Sequence, residues 1–272
     1  VVETQAAHLH ANGVGLVFVG GTTGEGPSLS LEERGALARR WADVARGTGL
    51  GVVVHVGANS LAEARALAAQ AQGLGAVAVA AFAPSYFKPR DVDLLVACCA
   101  DVASAAPRTP FYFYDIPALT GVSLSMPDFL ERGADRIPTL AGLKFARSDL
   151  AAYQRCLHAA NGSFDLPWGN DETLLAALAL GARGAVGSTY NLAAPLYHRM
   201  LRAFAAGDLA AAREEQLRSV EIVRLLSDHG FLGAAKAVMA MLGVDVGPAR
   251  LPNLRLSAAQ AGELRARLEA VG

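Results

Sequence analysis

Lys144 lies in LAGLKFARSDL, residues 140–150, inside an apolar run that otherwise reads as a buried strand. Desolvation works against a charged ammonium group there. Two readings account for it. Either a buried carboxylate or the strand's rim accommodates the charge, or a lowered pKa leaves a neutral amine that attacks a carbonyl and forms a Schiff base. A second candidate precedes it in FYFYDIPALTG, residues 111–121, where Tyr112 and Tyr114 share a face and Tyr114 stands just before Ile116 and Pro117, at the end of the run. A phenol beside an imine can relay a proton; a core tyrosine with a satisfied hydroxyl is the plainer alternative. The third element is GGTTGEG, residues 20–26. Its glycines permit a tight turn whose successive amides point into one concavity, and Thr22 and Thr23 add hydroxyls, a combination that suits a carboxylate. No GK[ST] follows, so it is not a phosphate-binding P-loop.

These groups need elements to position them. Short β-branched or aromatic runs recur as VGLVFVGG, GVVVHVGA, AVAVAAFAP, FYFYDIP, LAGLKFA, DLPWGND and GAVGSTY. Between most of them lie alanine- and leucine-rich helical patterns. LEERGALARRWADVAR is one, with Leu37, Trp41 and Val44 on one face and a Ser30–Glu33 capping box at its start. The alternation predicts an α/β fold of parallel strands and crossover helices, a (β/α)8 TIM barrel with a C-terminal helical extension. On that reading Gly142 and Ala146 share the inward face with Lys144, Leu143 and Phe145 meet the helices, and active groups gather at the C-terminal ends of strands. VVETQAAHLHANG reads as the first barrel helix, so residues 1–205 form a barrel lacking its first strand and 206–272 the extension of the same structural unit. The first strand is expected upstream of Val1, because a barrel short of one strand leaves two unpaired edges.

Composition narrows the partners. With 24 basic and 25 acidic residues, and 53% apolar residues, the chain has no basic stripe for nucleic acid and no polybasic segment for a membrane surface. No apolar run is long enough to span a bilayer. A small molecule is the expected partner. Cys98, Cys99 and Cys156 read as reduced core residues of a cytoplasmic protein. The six histidines form no metal-binding motif with carboxylates, and His55 in VVVHVG reads as a hydrogen-bonded interior residue.

GTTGE, YDIPALTG, GLKFARSDL and GAVGSTYN, in order and at similar spacing over nearly the whole chain, resemble the motifs of the dihydrodipicolinate synthase and N-acetylneuraminate lyase superfamily of Schiff-base-forming barrels. The resemblance implies that Lys144 forms the imine, that Tyr114 is the catalytic tyrosine, and that Thr22 and Thr23 hold the keto acid's carboxylate. The lyase branch is the nearer likeness. Gly169, Asp171 and Glu172 in WGNDE resemble its segment for sugar hydroxyls, and Ser188 resembles another substrate contact. Read alone, an acidic pair is more often a helix N-terminus and a serine a turn residue. Where synthases usually carry an arginine for a second carboxylate, this chain has Leu119. Tyr86 in APSYFKP resembles an aromatic lent to a neighbouring subunit's site, which implies a homo-oligomer, commonly a tetramer. One departure stands out: the lyases usually have Thr or Ser where this chain has Ala146, and an unsatisfied partner there costs ~1–3 kcal/mol. The implied activity is cleavage of N-acetylneuraminate to N-acetylmannosamine and pyruvate, without metal or cofactor. An aldolase or dehydratase for another 2-keto-3-deoxy sugar acid, or a non-catalytic member, are the alternatives.

Overall fold

Five of the β-branched and aromatic runs form parallel strands: β1 (Leu16–Val19), β2 (Gly51–His55), β3 (Ala78–Phe82), β4 (Phe111–Asp115) and β5 (Leu140–Phe145). The structure is a computed structural model that describes residues 1–271; Gly272, the last residue of the expected extension, lies outside the described residues. The strands are hydrogen-bonded in chain order, β1-β2-β3-β4-β5, with every pair parallel. A doubly wound sheet reverses its strand order to place helices on both faces. Here the order never reverses, so successive right-handed crossovers lay their helices on one face. That is the topology of the (β/α) barrel the sequence predicts.

The side chains sort accordingly. Phe113 packs on Phe129 of the helix Met126–Arg136, and Phe145 on Tyr153 of the helix Leu150–His158, with ring centroids 4.8 and 5.3 Å apart. The helix Leu31–Ala45 carries the predicted Ser30–Glu33 capping box; Ala38, Trp41 and Ala45 are its buried stripe, and Leu37 and Val44 are half-buried at the margins. DLPWGND and GAVGSTY are expected as full strands, but they extend the sheet by single parallel bridges, Gly142 with Asp165, Phe145 with Trp168 and Trp168 with Ala185. Pro167 explains the interruption between DLPWGND and β5: it has no N–H for that ladder, though its carbonyl accepts from the Phe145 amide at 3.0 Å.

The chain divides into two compact units. The barrel unit comprises residues 16–170 and 177–186. The helical unit comprises residues 1–15, 171–176 and 187–272. Within it, Leu225, Leu226, Ala234, Val238 and Leu264 form a buried cluster on the helices Leu209–Asp228, Phe231–Met241 and Ala258–Glu269. The helix Val2–Ala11 joins this unit through His8 Nε2, 2.9 Å from the Asn191 carbonyl, and through the Asn12 carbonyl, 2.9 Å from His198 Nε2. Cys99 and Cys156 are buried and Cys98 is partly so, and all three are unbridged, as expected of reduced core cysteines. No helix among the described residues is long and apolar enough to cross a membrane.

β5 contains a bulge. Leu140 pairs with Phe111 but Gly142 with Tyr112, so Ala141 is an extra residue. Gly142 is also where the backbone of residue 165 approaches most closely: a Cβ there would fall 1.7 Å from the Asp165 carbonyl oxygen. Gly142→Ala is expected to destabilise the protein by about 1–3 kcal/mol, seen as a lower urea midpoint. Gly73→Ala, where a Cβ meets nothing within 4 Å, serves as the neutral control.

Candidate active site

The bulge sets the register that matters for chemistry. Counting straight from Phe111 and Leu140 would oppose Tyr114 to Leu143; with Ala141 inserted, Tyr114 opposes Lys144. Both then project from the inner face, one residue before their strands end. Lys144 is 8% exposed, and its Nζ lies 4.1 Å from the Tyr114 ring centroid and 4.9 Å from that of Phe18. No hydrogen bond or ion pair engages this nitrogen among the described residues. A lysine held by a buried carboxylate, the plainer reading of the sequence, is therefore not what the structure contains.

Tyr114 is buried, and its hydroxyl lies 3.3 Å from Thr22 Oγ1. Thr22 and Thr23 belong to the turn after β1, closed by the Glu25 amide donating to the Thr22 carbonyl at 2.9 Å and the Gly26 amide to Gly21 at 3.1 Å. The amides of Gly21 and Thr22 donate to no protein acceptor among the described residues, which leaves them available to an anion. Beside the turn, His55 is buried with Nδ1 3.1 Å from the Gly20 carbonyl. Its ring lies 4.6 Å from Phe82 and meets Tyr114 edge-on at 5.8 Å. Burial, reinforced by the positive charges of Arg34 and Lys144, pushes its pKa from 6.5 down to about 3.

On the opposite face of the same strand ends, Arg147 holds Asp115 with two hydrogen bonds of 2.5 Å, from Nε and Nη2, and Nη2 also reaches the Leu124 carbonyl at 3.3 Å. The Ala146 amide donates to the Asp115 carbonyl at 2.9 Å. Burial holds the Asp115 carboxyl above its usual range although Arg147 acts against it. Sequence reasoning passed over this pair. Its signal was present: an acid directly after Tyr114 and a base three residues after Lys144.

Of the other expected residues, Gly169 is brought to the end of β5, where its amide donates to the Phe145 carbonyl at 2.7 Å and its Cα lies against Ala146. Tyr86 stands 80% exposed after β3, edge-on to Phe87 at 5.0 Å, and Leu119 is exposed on the short helix Pro117–Thr120 after β4. Asp171, Glu172 and Ser188 belong to the helical unit. There the buried Asp171 Oδ2 accepts from the Thr189 amide at 2.8 Å and hydroxyl at 2.6 Å, which pins the turn carrying Ser188 beside the turn Asp171–Thr173. Thr189 in turn meets the Tyr197 hydroxyl, which lies 2.8 Å from Ser219 Oγ. Burial, aided by the charge of Asp171, raises the carboxyl of Glu172.

Comparisons with known proteins give the family and the fold. Residues 1–271 match the dihydrodipicolinate synthetase family. The N-acetylneuraminate lyase of Gallus gallus is 43% identical over 258 residues, which cover 94% of this chain and 84% of that protein. The solved N-acetylneuraminate lyase of Proteus mirabilis superposes with a TM-score of 0.96 at 39% identity, covering 100% of this chain and 91% of that one. The sialic acid aldolase of Aliivibrio salmonicida gives 0.96 at 42% identity, with 100% and 90% covered.

Two outcomes follow for stability. The unfolded chain protonates His55 near 6.5 and the folded chain only near 3, so its contribution is complete above pH 6.5 and is lost as pH falls towards 3. Between pH 7.5 and 5 the loss is roughly 2 kcal/mol. Urea titrations should show wild type losing that much more than His55→Asn over the same interval; parallel losses would refute the assignment. Arg147→Met strands a buried carboxylate and should cost about 3–5 kcal/mol in the same assay.

Proposed function

Since the chain belongs to the dihydrodipicolinate synthetase family, we propose that it is a Schiff-base aldolase that cleaves N-acetylneuraminate to N-acetylmannosamine and pyruvate. The observation that carries this reading is the buried Lys144 amine, unengaged by any hydrogen bond or ion pair among the described residues and set over the ring of Tyr114. The names of the relatives at 39% to 43% identity support the substrate.

The amine, as its free base, attacks the second carbon of the open-chain keto acid and expels water to give an iminium. That iminium withdraws the electron pair of the bond between the third and fourth carbons as it breaks. The hydroxyl on the fourth carbon loses its proton and becomes the aldehyde of N-acetylmannosamine. The enamine left on Lys144 takes a proton at its terminal carbon, and water hydrolyses the imine, releasing pyruvate and restoring the amine. Tyr114 is our candidate to carry the hydroxyl's proton, and the Thr22 hydroxyl 3.3 Å from its own supports that reading. Thr22 and Thr23, with the amides of their turn, are our candidates for the carboxylate's partners. The iminium is itself the electron sink, so the chemistry calls for no metal or cofactor.

We also read the exposed ring of Tyr86 as a group given to a neighbouring subunit, in a homotetramer, and the unbridged cysteines as those of a cytoplasmic protein. Ala146 favours a second reading. Its methyl group faces Gly169 where the resembling lyases carry a hydroxyl, which suits a different 2-keto-3-deoxy sugar acid.

Incubation with pyruvate and borohydride, followed by peptide mass spectrometry, should leave a stable reduced adduct on Lys144, and none on Lys144→Ala. An unmodified wild-type protein would remove the Schiff-base reading. Tyr114→Phe should still trap pyruvate while cleavage falls on the order of 10²- to 10⁴-fold. A panel of sugar acids decides the substrate: slow turnover of N-acetylneuraminate beside rapid turnover of another acid selects the second reading.

A further inference from the structure

Among the described residues, His55 is a buried polar side chain packed against Tyr114 that the mechanism leaves without work. We propose that it is a positioning residue, whose Nδ1–H holds the root of the threonine turn while its ring backs Tyr114, so that Thr22 and the phenol are kept at hydrogen-bonding distance. The proposal rests on the Schiff-base reading and deepens it.

The tautomer follows from the partner. A carbonyl oxygen can only accept, so the 3.1 Å contact with Gly20 requires the proton on Nδ1. That leaves the lone pair on Nε2, which is buried and without a hydrogen-bond partner. It faces Gly57, where a Cβ would come within 3.0 Å of it, and the ring around it is flanked by Phe18, Phe82 and Tyr114. A nitrogen so enclosed has no path to exchange protons with a substrate, which excludes a role as acid or base. A hydrocarbon side chain would fill the same space without leaving an unpaired acceptor. What the imidazole adds is the single donor to Gly20.

Gly20 is the residue from which the turn departs, at φ 73°, and Thr22 follows two positions later. The turn's far end is fixed separately. After it comes Ser30, which caps the helix Leu31–Ala45, and Arg34 of that helix donates from Nη2 to the His55 carbonyl at 2.9 Å. His55 thus ties both ends of the segment carrying Thr22 and Thr23, by its side chain at one end and its backbone at the other. Its ring also touches Tyr114, so the turn and the phenol share one support.

Asparagine can place its amide nitrogen where Nδ1 stands; leucine fills the volume without a donor. Pyruvate concentration at half-maximal borohydride trapping, and KM and kcat for N-acetylneuraminate, would be measured for wild type, His55→Asn and His55→Leu. The leucine variant should need about tenfold more pyruvate, with KM raised in step, and asparagine should restore most of that loss. A leucine variant equal to wild type, or an asparagine variant as impaired as leucine, overturns the role. Because His55→Leu risks misfolding, nitrogen-15 NMR of the wild type gives a second reading, with the resonance assigned by its loss in His55→Asn. It should show the neutral Nδ1–H tautomer at pH 7, and an Nε2–H tautomer would overturn the proposal. Wild type that traps no pyruvate defeats the Schiff-base reading itself, whereas trapping unaffected by leucine defeats only the part given to His55.

Discussion

Everything at the Lys144 site depends on how β4 and β5 are aligned. Side chains on a strand alternate between faces, so a shift of one residue would turn the amine out of the barrel interior and into the layer where Phe145 meets Tyr153. The extra residue Ala141 sets the alignment, and two further contacts keep it. The Asp115 carbonyl takes the Ala146 amide, and the Asp115 carboxylate takes the Arg147 guanidinium. Tyr114 and Lys144 are therefore neighbours because of a bulge and two contacts in which neither of their side chains takes part.

The two faces treat buried polarity in opposite ways. Beneath the helices, the charges of Asp115 and Arg147 are matched oxygen to nitrogen, as a charge removed from water requires. Inside, Lys144 is packed against aromatic rings without a counter-ion, and His55 is kept uncharged by burial and by its positive neighbours. An acid placed beside Lys144 would lock the amine in an ion pair and end its use as a nucleophile. The hydroxyls of Tyr114 and Thr22, 3.3 Å apart on the same side of the sheet, can pass a proton without fixing the lysine's charge.

Much of this was legible in the sequence. Alternation places Lys144 and Tyr114 inward and Leu143 and Phe145 outward, and the structure agrees, because one buried face on a strand leaves a period-two signature that few other arrangements produce. The bulge was not legible. Ala141 and Gly142 are small residues in an apolar run, and nothing in their types says which of them lacks a partner. DLPWGND and GAVGSTY were readable as strand positions but not as single bridges, since the effect of Pro167 depends on which neighbour needs its missing N–H. Of the Asp115–Arg147 pair only the positions were legible, an acid directly after Tyr114 and a base three residues after Lys144; that they meet across 32 positions follows from the register of β4 and β5. The makeup of the helical unit was hidden for the same reason: its parts are scattered along the chain and cohere only through contacts of high sequence separation.

That scattering bears on how the protein is born. Each barrel strand pairs with the next to leave the ribosome, so the sheet can grow vectorially during synthesis. The helix Val2–Ala11 emerges before β1, yet His8 of that helix and Asn12 just after it meet partners 183 and 186 positions later. For most of translation the nascent chain carries that helix before its docking surface exists, and closing so distant a contact is slow compared with local pairing. A segment made before the sheet is thus among the last to find its place, and it is a segment whose exposure chaperones would meet.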